Sequence, residues 1–449
     1  MMKNRVRVVR LRIVALILVV AAVVMLNAVQ VKAQGSPPLL TLKESVKIAL
    51  ERNLDMKRAF EEVQAARERQ KEARTGFLPS LSGSYSYRRL SELPYVVFEG
   101  REIDVGDMDQ YRFTGTIEQP LFTGFATLSN YQLAKLGLDV AKIQLVRARL
   151  DLILLVRETY FSILTSERIL EVRQQSVRQL QAGLDVAKNF YEVGMSPKID
   201  VLEAEVRLAE AKQELIRAEN ALSVGKAQFN TILRRPVDQE VAVLDVLSDR
   251  PYKKRYELCM EIALKKRPEL MEAEKNVASA EKEITLTKSA YYPKVSVSSN
   301  YYRAGDDPGV NGSDFVDREN WDVMAQATIT FFEWGKTRYE ASRKRARLRQ
   351  ARQALERIKD DIRLEVKTSY LSMQAAEKYI LVAKKRVESA EENFRISGER
   401  YRQQVATATE VLDAQTRLTE ARTNYTNALA VFNIAQARLI RNMGLEDES

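Results

Sequence analysis

The chain has 449 residues, among them 71 Lys or Arg, 61 Asp or Glu, no His and a single Cys, Cys259. Without an imidazole neither a Ser-His-Asp nor a Cys-His nucleophile system can be assembled, nor a His-ligated zinc site, and one thiol forbids an intrachain disulfide. A hydrophobic fraction of 45% beside 29% charged residues is a folding composition, at a length that allows two or three ordinary domains.

Lys3, Arg5, Arg7, Arg10 and Arg12 precede an apolar stretch over 13–31, which ends in the small residue Ala33 before Gln34. A basic, an apolar and a small-residue part in that order predict a secretory signal over 1–33. An uncleaved anchor is the weaker reading, because the apolar run only just reaches spanning length. Removing 1–33 takes six basic residues and no acid from the formal +10 and leaves +4. The basic balance therefore belongs mainly to the signal, and nucleic acid is not an expected partner.

The chain repeats itself. Tyr191, Asp200, Val201, Leu202, Ala204, Leu208, Glu210 and Ala211 match Tyr401, Glu410, Val411, Leu412, Ala414, Leu418, Glu420 and Ala421 at one offset of 210, as Phe122 matches Phe332 and Tyr160 matches Tyr370. Ala49, Leu50 and Pro79 match Ala263, Leu264 and Pro293 at 214, so a four-residue difference falls between Pro79 and Phe122. A register kept over such a distance predicts two copies of one unit, 34–232 and 256–441, with a linker over 233–255 and a tail over 442–449.

Each copy opens with helix signals: Thr41 with Glu44 forms a capping box, and Pro268 suits a first helical turn. These helices are expected to stop near Pro79 and Pro293. Beyond them the period becomes two. Leu81, Gly83, Tyr85 and Tyr87 alternate with polar residues, as do Tyr111, Phe113, Gly115 and Ile117. In copy two Val295, Val297 and Tyr301 alternate likewise, followed by Trp321, Val323, Ala325, Ala327 and Ile329. Two strands per copy, joined by polar loops over 89–110 and 303–320, have the length and one-sided apolarity of outer-membrane barrel strands. A soluble two-hairpin sheet packed on helices is the alternative. Four strands cannot close a barrel, and an open edge cannot sit in hydrocarbon, so several chains would have to share one. Two copies give a barrel filled by its own side chains, whereas three leave room for an aqueous bore.

Helical runs over 127–193 and 337–403 follow, with no Pro and few Gly, each on the order of 100 Å long. Such lengths fit a coiled coil or a tunnel wall. In the return helices Val201, Leu208, Leu215, Leu222 and Phe229 recur every seven residues, interleaved with Ala204, Ala211, Ala218 and Gly225. Copy two has Val411, Leu418, Tyr425, Phe432 and Leu439 with Ala414, Ala421, Ala428 and Ala435. Large residues at one seam position and small ones at the other predict close-packed antiparallel coiled coils. At the tips Gly194 supplies a helix stop, Ser196 an N-cap and Pro197 a first-turn residue, while Thr407 and Glu410 form a second capping box. The fold class is mixed α and β, mainly helical.

The duplication, the junctions Gln119-Pro120-Leu121-Phe122-Thr123-Gly124 and Phe331-Phe332-Glu333-Trp334-Gly335, and the post-tip segments Asp200-Val201-Leu202 and Glu410-Val411-Leu412-Asp413-Ala414 resemble TolC-like outer-membrane efflux proteins. The resemblance spans essentially the whole chain beyond the signal. It implies a homotrimer with a twelve-stranded transmembrane β-barrel, four strands per chain, continued by a periplasmic α-barrel of coiled coils. It further implies the exit duct of a tripartite efflux or secretion system in the cell outer membrane, opened by a periplasmic adaptor and an inner-membrane transporter. By the same resemblance Glu410, Asp413, Asp200 and Tyr401 fall at the periplasmic constriction, and Gly194, Ser196, Pro197, Val405, Ala406 and Thr407 at the tips that meet the adaptor. Two departures stand out: Ala406 occupies a position where the family's best-known member has an arginine, and Ser196-Pro197-Lys198 replaces a more apolar stretch. Lys198 or Arg402 could supply the missing cation.

Plainer readings compete residue by residue. Capping alone accounts for Glu410, and the helix dipole for Asp200. The basic run Arg343, Lys344, Arg345, Arg347, Arg349 and Arg352 reads as a solvated helix face before it reads as a contact for anionic outer-membrane lipid. Cys259 reads as core. No enzyme site or cofactor site emerges. The rival function is a periplasmic coiled-coil adaptor or scaffold, which two equivalent hairpins and strands of membrane length argue against.

Overall fold

The computed structural model describes residues 39–447. The signal expected over 1–33 lies outside the described residues. Copy one runs through β1 (Leu39–Leu40), α1 (Leu42–Arg52), α2 (Leu54–Thr75), β2 (Ser80–Arg89), β3 (Tyr95–Phe98), β4 (Arg101–Asp104), β5 (Asp109–Phe122), α3 (Ala126–Glu192) and α4 (Lys198–Ile232). Strand β6 (Ala242–Val243) lies in the linker, and copy two comprises α5 (Tyr256–Lys266), α6 (Pro268–Lys288), β7 (Lys294–Gly305), β8 (Glu319–Thr328), α7 (Lys336–Arg402) and α8 (Ala408–Asn442).

The opening helix of each copy is two helices, not one. Asn53 and Arg267 stand at the break in extended geometry, with ψ of 138° and 123°. Asn53 accepts from the Asp55 and Met56 amides and so caps α2, while Pro268 takes the first turn of α6. Thr41 and Glu44 close their capping box as expected.

Four strands form one antiparallel sheet in the order β2-β5-β7-β8. Leu81 faces Ile117, Tyr85 faces Phe113 and Tyr301 faces Trp321, so the period-two apolar sets of all four strands share one face. Arg89 pairs with Asp109 and Arg303 with Glu319, which locates the four-residue difference between copies in the loop joining the strands. There copy one carries the β3–β4 hairpin, turned by Glu99 and Gly100 at φ of 50° and 79°. Each strand hands over to its long helix through two left-handed residues, Gly124-Phe125 and Trp334-Gly335, with glycine on opposite members of the pair.

The long helices α3 and α7 are 67 residues each, and the return helices α4 and α8 are 35 each. Each return helix packs on its own outgoing helix, and α8 also lies along α3, giving the lateral order α4-α3-α8-α7. Nearer the sheet the order is α2-α3-α6-α7. The seven-residue stripes are the core: Phe229, Phe432 and Leu439 are fully buried, with Ala204, Ala414 and Ala421 beside them. Each buried Phe or Leu contributes about 1.5–3 kcal/mol over its exposed state.

At the waist an ionic cluster ties the copies together. Arg267, at the α5–α6 break, is buried and meets Glu269 at 3.1 Å and also Glu365. Arg441 reaches Asp151 at 2.6 Å and Glu269 at 2.7 Å. Burial alone would raise the Glu269 carboxyl, but the Arg267 and Arg441 guanidiniums pull it down to about 2. The stretch beyond α8 packs here too. Met443 is fully buried, Gly444 lies directly under the Lys266 carbonyl, and Glu446 and Asp447 pair with Arg149 at 2.7 Å and Arg157 at 3.3 Å.

Candidate functional site at the helical tips

The tips lie at the end of the long helices opposite the sheet. Gly194, at φ 75°, ends α3 while the Met195 amide returns to the Phe190 carbonyl. In copy two Gln404 holds the equivalent place at φ 61°. The N-cap position of α4 belongs to Pro197 rather than Ser196, and the Ser196 hydroxyl is buried without a hydrogen-bond partner. Proline has no side-chain acceptor, so this helix start goes uncapped, unlike that of α8. There Thr407 accepts from the Glu410 amide at 3.2 Å. The reciprocal half of the expected box is missing, because the Glu410 carboxylate turns to Arg400 of α7 at 3.6 Å. Ala406 is half-buried, whereas Val193, Met195 and Val405 leave an apolar, exposed rim on both tips.

Asp413 faces copy one. Its carboxylate lies 3.6 Å from Arg207 of α4. Glu203 accepts from the Thr409 hydroxyl at 2.8 Å, and Leu412 packs among Val201, Ala204 and Leu208. These contacts join the two hairpins, whereas Arg400–Glu410 joins two helices of one hairpin. Asp200 has no ion-pair partner among the described residues, and burial, then the Glu203 carboxylate, push its carboxyl up. Tyr401 sits 5.5 Å from the Phe190 ring across α3 and α7, and its hydroxyl, buried without a partner, is pushed up by burial and by Asp200.

The cations that meet the tip acids are Arg207 and Arg400, not Lys198 or Arg402. Nothing in a single hairpin's periodicity singles out Arg207. Superposing the two copies sets Arg207 on Arg417, so its pairing with Asp413 is visible only in the fold.

Above the tips the two hairpins meet through polar rungs: Gln415 to Gln179 at 2.6 Å, Thr419 to Ser176 at 3.2 Å, and Arg422 to Gln175 at 2.5 Å. Each hairpin is sealed internally by apolar heptads, whereas these rungs between hairpins are polar. Near the sheet the basic run is partly paired, Lys344 with Glu283 at 2.8 Å and Arg352 with Glu281 at 2.9 Å, and its other arginines are exposed. That arrangement fits the solvated-face reading. Among the described residues no group of His, Cys, Asp and Glu could hold a metal ion, and no helix is long and apolar enough to cross a membrane.

The model of the outer membrane efflux protein family matches residues 46–233 and 259–445, one match to each copy. The chain is similar to outer membrane protein TolC of Escherichia coli (26% identity over 231 residues, 50% of this chain and 46% of that protein). It is similar as well to alkaline protease secretion protein AprF of Pseudomonas aeruginosa (24% over 309 residues, 66% and 62%). The alignments thus span less than two thirds of either relative. Nodulation protein T of Rhizobium leguminosarum bv. trifolii aligns at 21% over 416 residues, 89% of this chain and 85% of that protein. Among solved structures the fold matches CusC with a TM-score of 0.80 at 17% identity, over 90% of this chain and 92% of that one. It matches the Neisseria gonorrhoeae MtrE outer membrane channel with a TM-score of 0.75 at 18% identity, over 90% and 89%. A duplicated strand-pair and helical-hairpin unit, matched twice along its length, places this chain in the outer membrane efflux protein family, as a TolC-like protein of the outer membrane.

Proposed function

We propose that three copies of this chain assemble about one axis into a passive exit duct. The observation that carries the reading is that, among the described residues, every tier ends in an unpartnered edge, and copy one supplies one side while copy two supplies the other. In the sheet these edges are β2 and β8, near the sheet they are helices α2 and α7, and toward the tips α4 and α7. Ile216 and Val224 on α4 are 65% and 47% exposed, and Tyr379 and Val382 on α7 are 65% and 68% exposed, which leaves apolar side chains on both edges to cover each other. Such head-to-tail edges close into a ring. Twelve shared strands would leave no open edge in hydrocarbon and keep a bore, with Ser82, Ser84, Thr114 and Thr116 on the face opposite the apolar one. Trp334 and Phe331, 85% and 90% exposed at the strand-to-helix junction, suit the lipid–water boundary.

In this reading the duct is passive, and energy comes from an inner-membrane transporter reached through a periplasmic adaptor. The tips at Gly194, Ser196, Pro197, Val405, Ala406 and Thr407, with the exposed apolar side chains of Val193, Met195 and Val405, are the adaptor's landing place. Glu410, Asp413, Asp200 and Tyr401 surround the constriction, and opening separates the hairpins along their polar seam. The adaptor or scaffold alternative is not favoured, since nothing in it calls for a sheet that gathers the apolar sets of all four strands on one face. Single-channel recording of the purified protein in a planar bilayer, with the oligomer's mass measured on the same sample, tests the proposal. A trimer with discrete, cation-preferring conductance is expected. A monomer without conductance overturns it.

A further inference from the structure

Near the sheet α3 is flanked by α2 and α6, while the edge helices α2 and α7 each lack one flank among the described residues. The repeat says what the missing flank would meet. Helices α3 and α7 have equal length and correspond at an offset of 210, and the breaks at Asn53 and Arg267 that open α2 and α6 correspond at 214. The α3–α6 contact inside the chain is therefore the counterpart of a contact between α7 and α2, which one chain holds on opposite edges. Among the described residues two ion pairs join α3 to α6, Asp139 with Lys275 at 3.0 Å and Arg147 with Glu269 at 3.9 Å. Carried over by these offsets, Asp139 and Lys275 become Arg349 and Glu61, and Arg147 and Glu269 become Arg357 and Asp55. Both are pairs of opposite charge, and in the first the signs have changed places. A sign exchanged at both ends at once is what a kept contact requires, whereas plain inheritance from the duplication would leave acid on acid and base on base. The remaining polar contact, Gln144 with Glu272 at 2.8 Å, becomes Ala354 and Arg58, which neither attract nor repel.

We propose that α7 docks on α2 of a second copy of this chain in the register that α3 keeps with α6, pairing Arg349 with Glu61 and Arg357 with Asp55 of that copy. This rests on the reading of copies closed into a ring and adds to it the register of the join. The four side chains are open to such a partner. Asp55 and Arg357 are 79% and 84% exposed, against 16% for Glu269 and 48% for Arg147 where the contact is made, and Glu61 and Arg349 are exposed as well. Within the chain Asp55 and Arg357 meet only charges of their own helices, Arg58 at 3.6 Å and Asp361 at 3.8 Å. A slip of one helical turn along α2 would set Arg349 beside Lys57 or Ala65, a repulsion or nothing, so the charges admit one register. Arg349, an exposed member of the basic run, is thereby a solvated residue in one chain and a paired one in the assembly.

The test follows how fast the purified oligomer falls to monomers on heating in detergent. Glu61→Arg and Arg349→Glu alone should each speed dissociation by about tenfold or more, because every join of the ring turns from attraction to repulsion at once. The two together should return the rate to within about threefold of wild type, whereas Glu68→Arg with Arg349→Glu, two turns out of register, should not. A second reading does not depend on the charge variants assembling. Cys259 is the one thiol and is fully buried, so Glu61→Cys with Arg349→Cys can be joined by a short bismaleimide without background. Links between subunits are expected for that pair and not for Glu68→Cys with Arg349→Cys. An intact oligomer without rescue by the exchange, or with the off-register cysteines linking as readily, overturns the register and leaves the ring standing. A wild-type protein that is monomeric refutes the ring, and the inference with it.

Discussion

Two tip ion pairs of nearly equal geometry provide a sharp test of how the proposed duct opens. Arg207–Asp413 and Arg400–Glu410 are both 3.6 Å apart, with side chains 41% and 49% exposed in the first and 52% and 47% in the second. Solvent screens both alike, so each is worth about 0.2–1 kcal/mol. They differ in what they connect, since the first spans the two hairpins and the second stays inside one. If opening separates hairpins, Arg207→Ala removes three cross-ties per proposed trimer and shifts the closed–open balance by about 0.6–3 kcal/mol, roughly threefold to a hundredfold in open probability. Arg400→Ala should leave that balance alone. Single-channel recording in planar bilayers reads both, and the exchange Arg207→Asp with Asp413→Arg should restore the wild-type value. Equal effects of the two single variants, or no rescue by the exchange, would refute the reasoning, because the pairs would then act through overall charge and not through the seam.

Replacing both Glu410 and Asp413 by Ala should shift the reversal potential in a salt gradient away from cation preference, and an unchanged potential removes these acids from the constriction. The waist cluster makes stability depend on acid. The folded Glu269 carboxyl sits at about 2 against an ordinary 4.5. Its contribution, at most about 3 kcal/mol and shared with Arg267 and Arg441, is present above pH 4.5 and lost as the pH falls toward 2. Glu269→Gln should lower the denaturant midpoint at pH 7 and flatten its acid dependence, and parallel acid curves for wild type and variant would contradict this. A methyl group at Gly124 would lie 2.4 Å from the Ser289 carbonyl oxygen, whereas at Gly335 its nearest neighbour is the movable Tyr339 ring at 3.1 Å. Gly124→Ala should therefore lower the thermal midpoint well beyond Gly335→Ala, and equal losses would count against a backbone clash.

What the sequence disclosed was whatever depends on neighbours along the chain. Alternation gave the faces of four strands, and seven-residue spacing gave the seams, because Leu208 and Phe229 must face α3 wherever the rest of the molecule lies. The β3–β4 hairpin escaped because strands of four residues are too short to show a period, although Glu99-Gly100 is a readable turn signal. Asn53 escaped because an N-cap inside a continuous helical pattern looks like any polar surface residue. The pairings of Asp413 and Glu269 were out of reach for a different reason. The Asp413–Arg207 and Glu269–Arg441 pairs join residues 206 and 172 positions apart, and their register follows from how two helices slide against each other. Misplacing the cap at Ser196 had a local cause, since serine is the better capper and only the geometry assigns that position to Pro197.

The two copies differ by four residues in the loop between their strands and by none in their long and return helices. A helix is a ruler marked in residues: deleting one lowers everything beyond it by about 1.5 Å and turns it by about 100°. A deletion in α3 alone would carry Arg207 out of line with Asp413 and Gln179 out of line with Gln415, leaving one tip above the other. Any change of reach between membrane and tips therefore has to be made in both copies at once, in matched whole turns, while the strand loops remain free to lengthen independently.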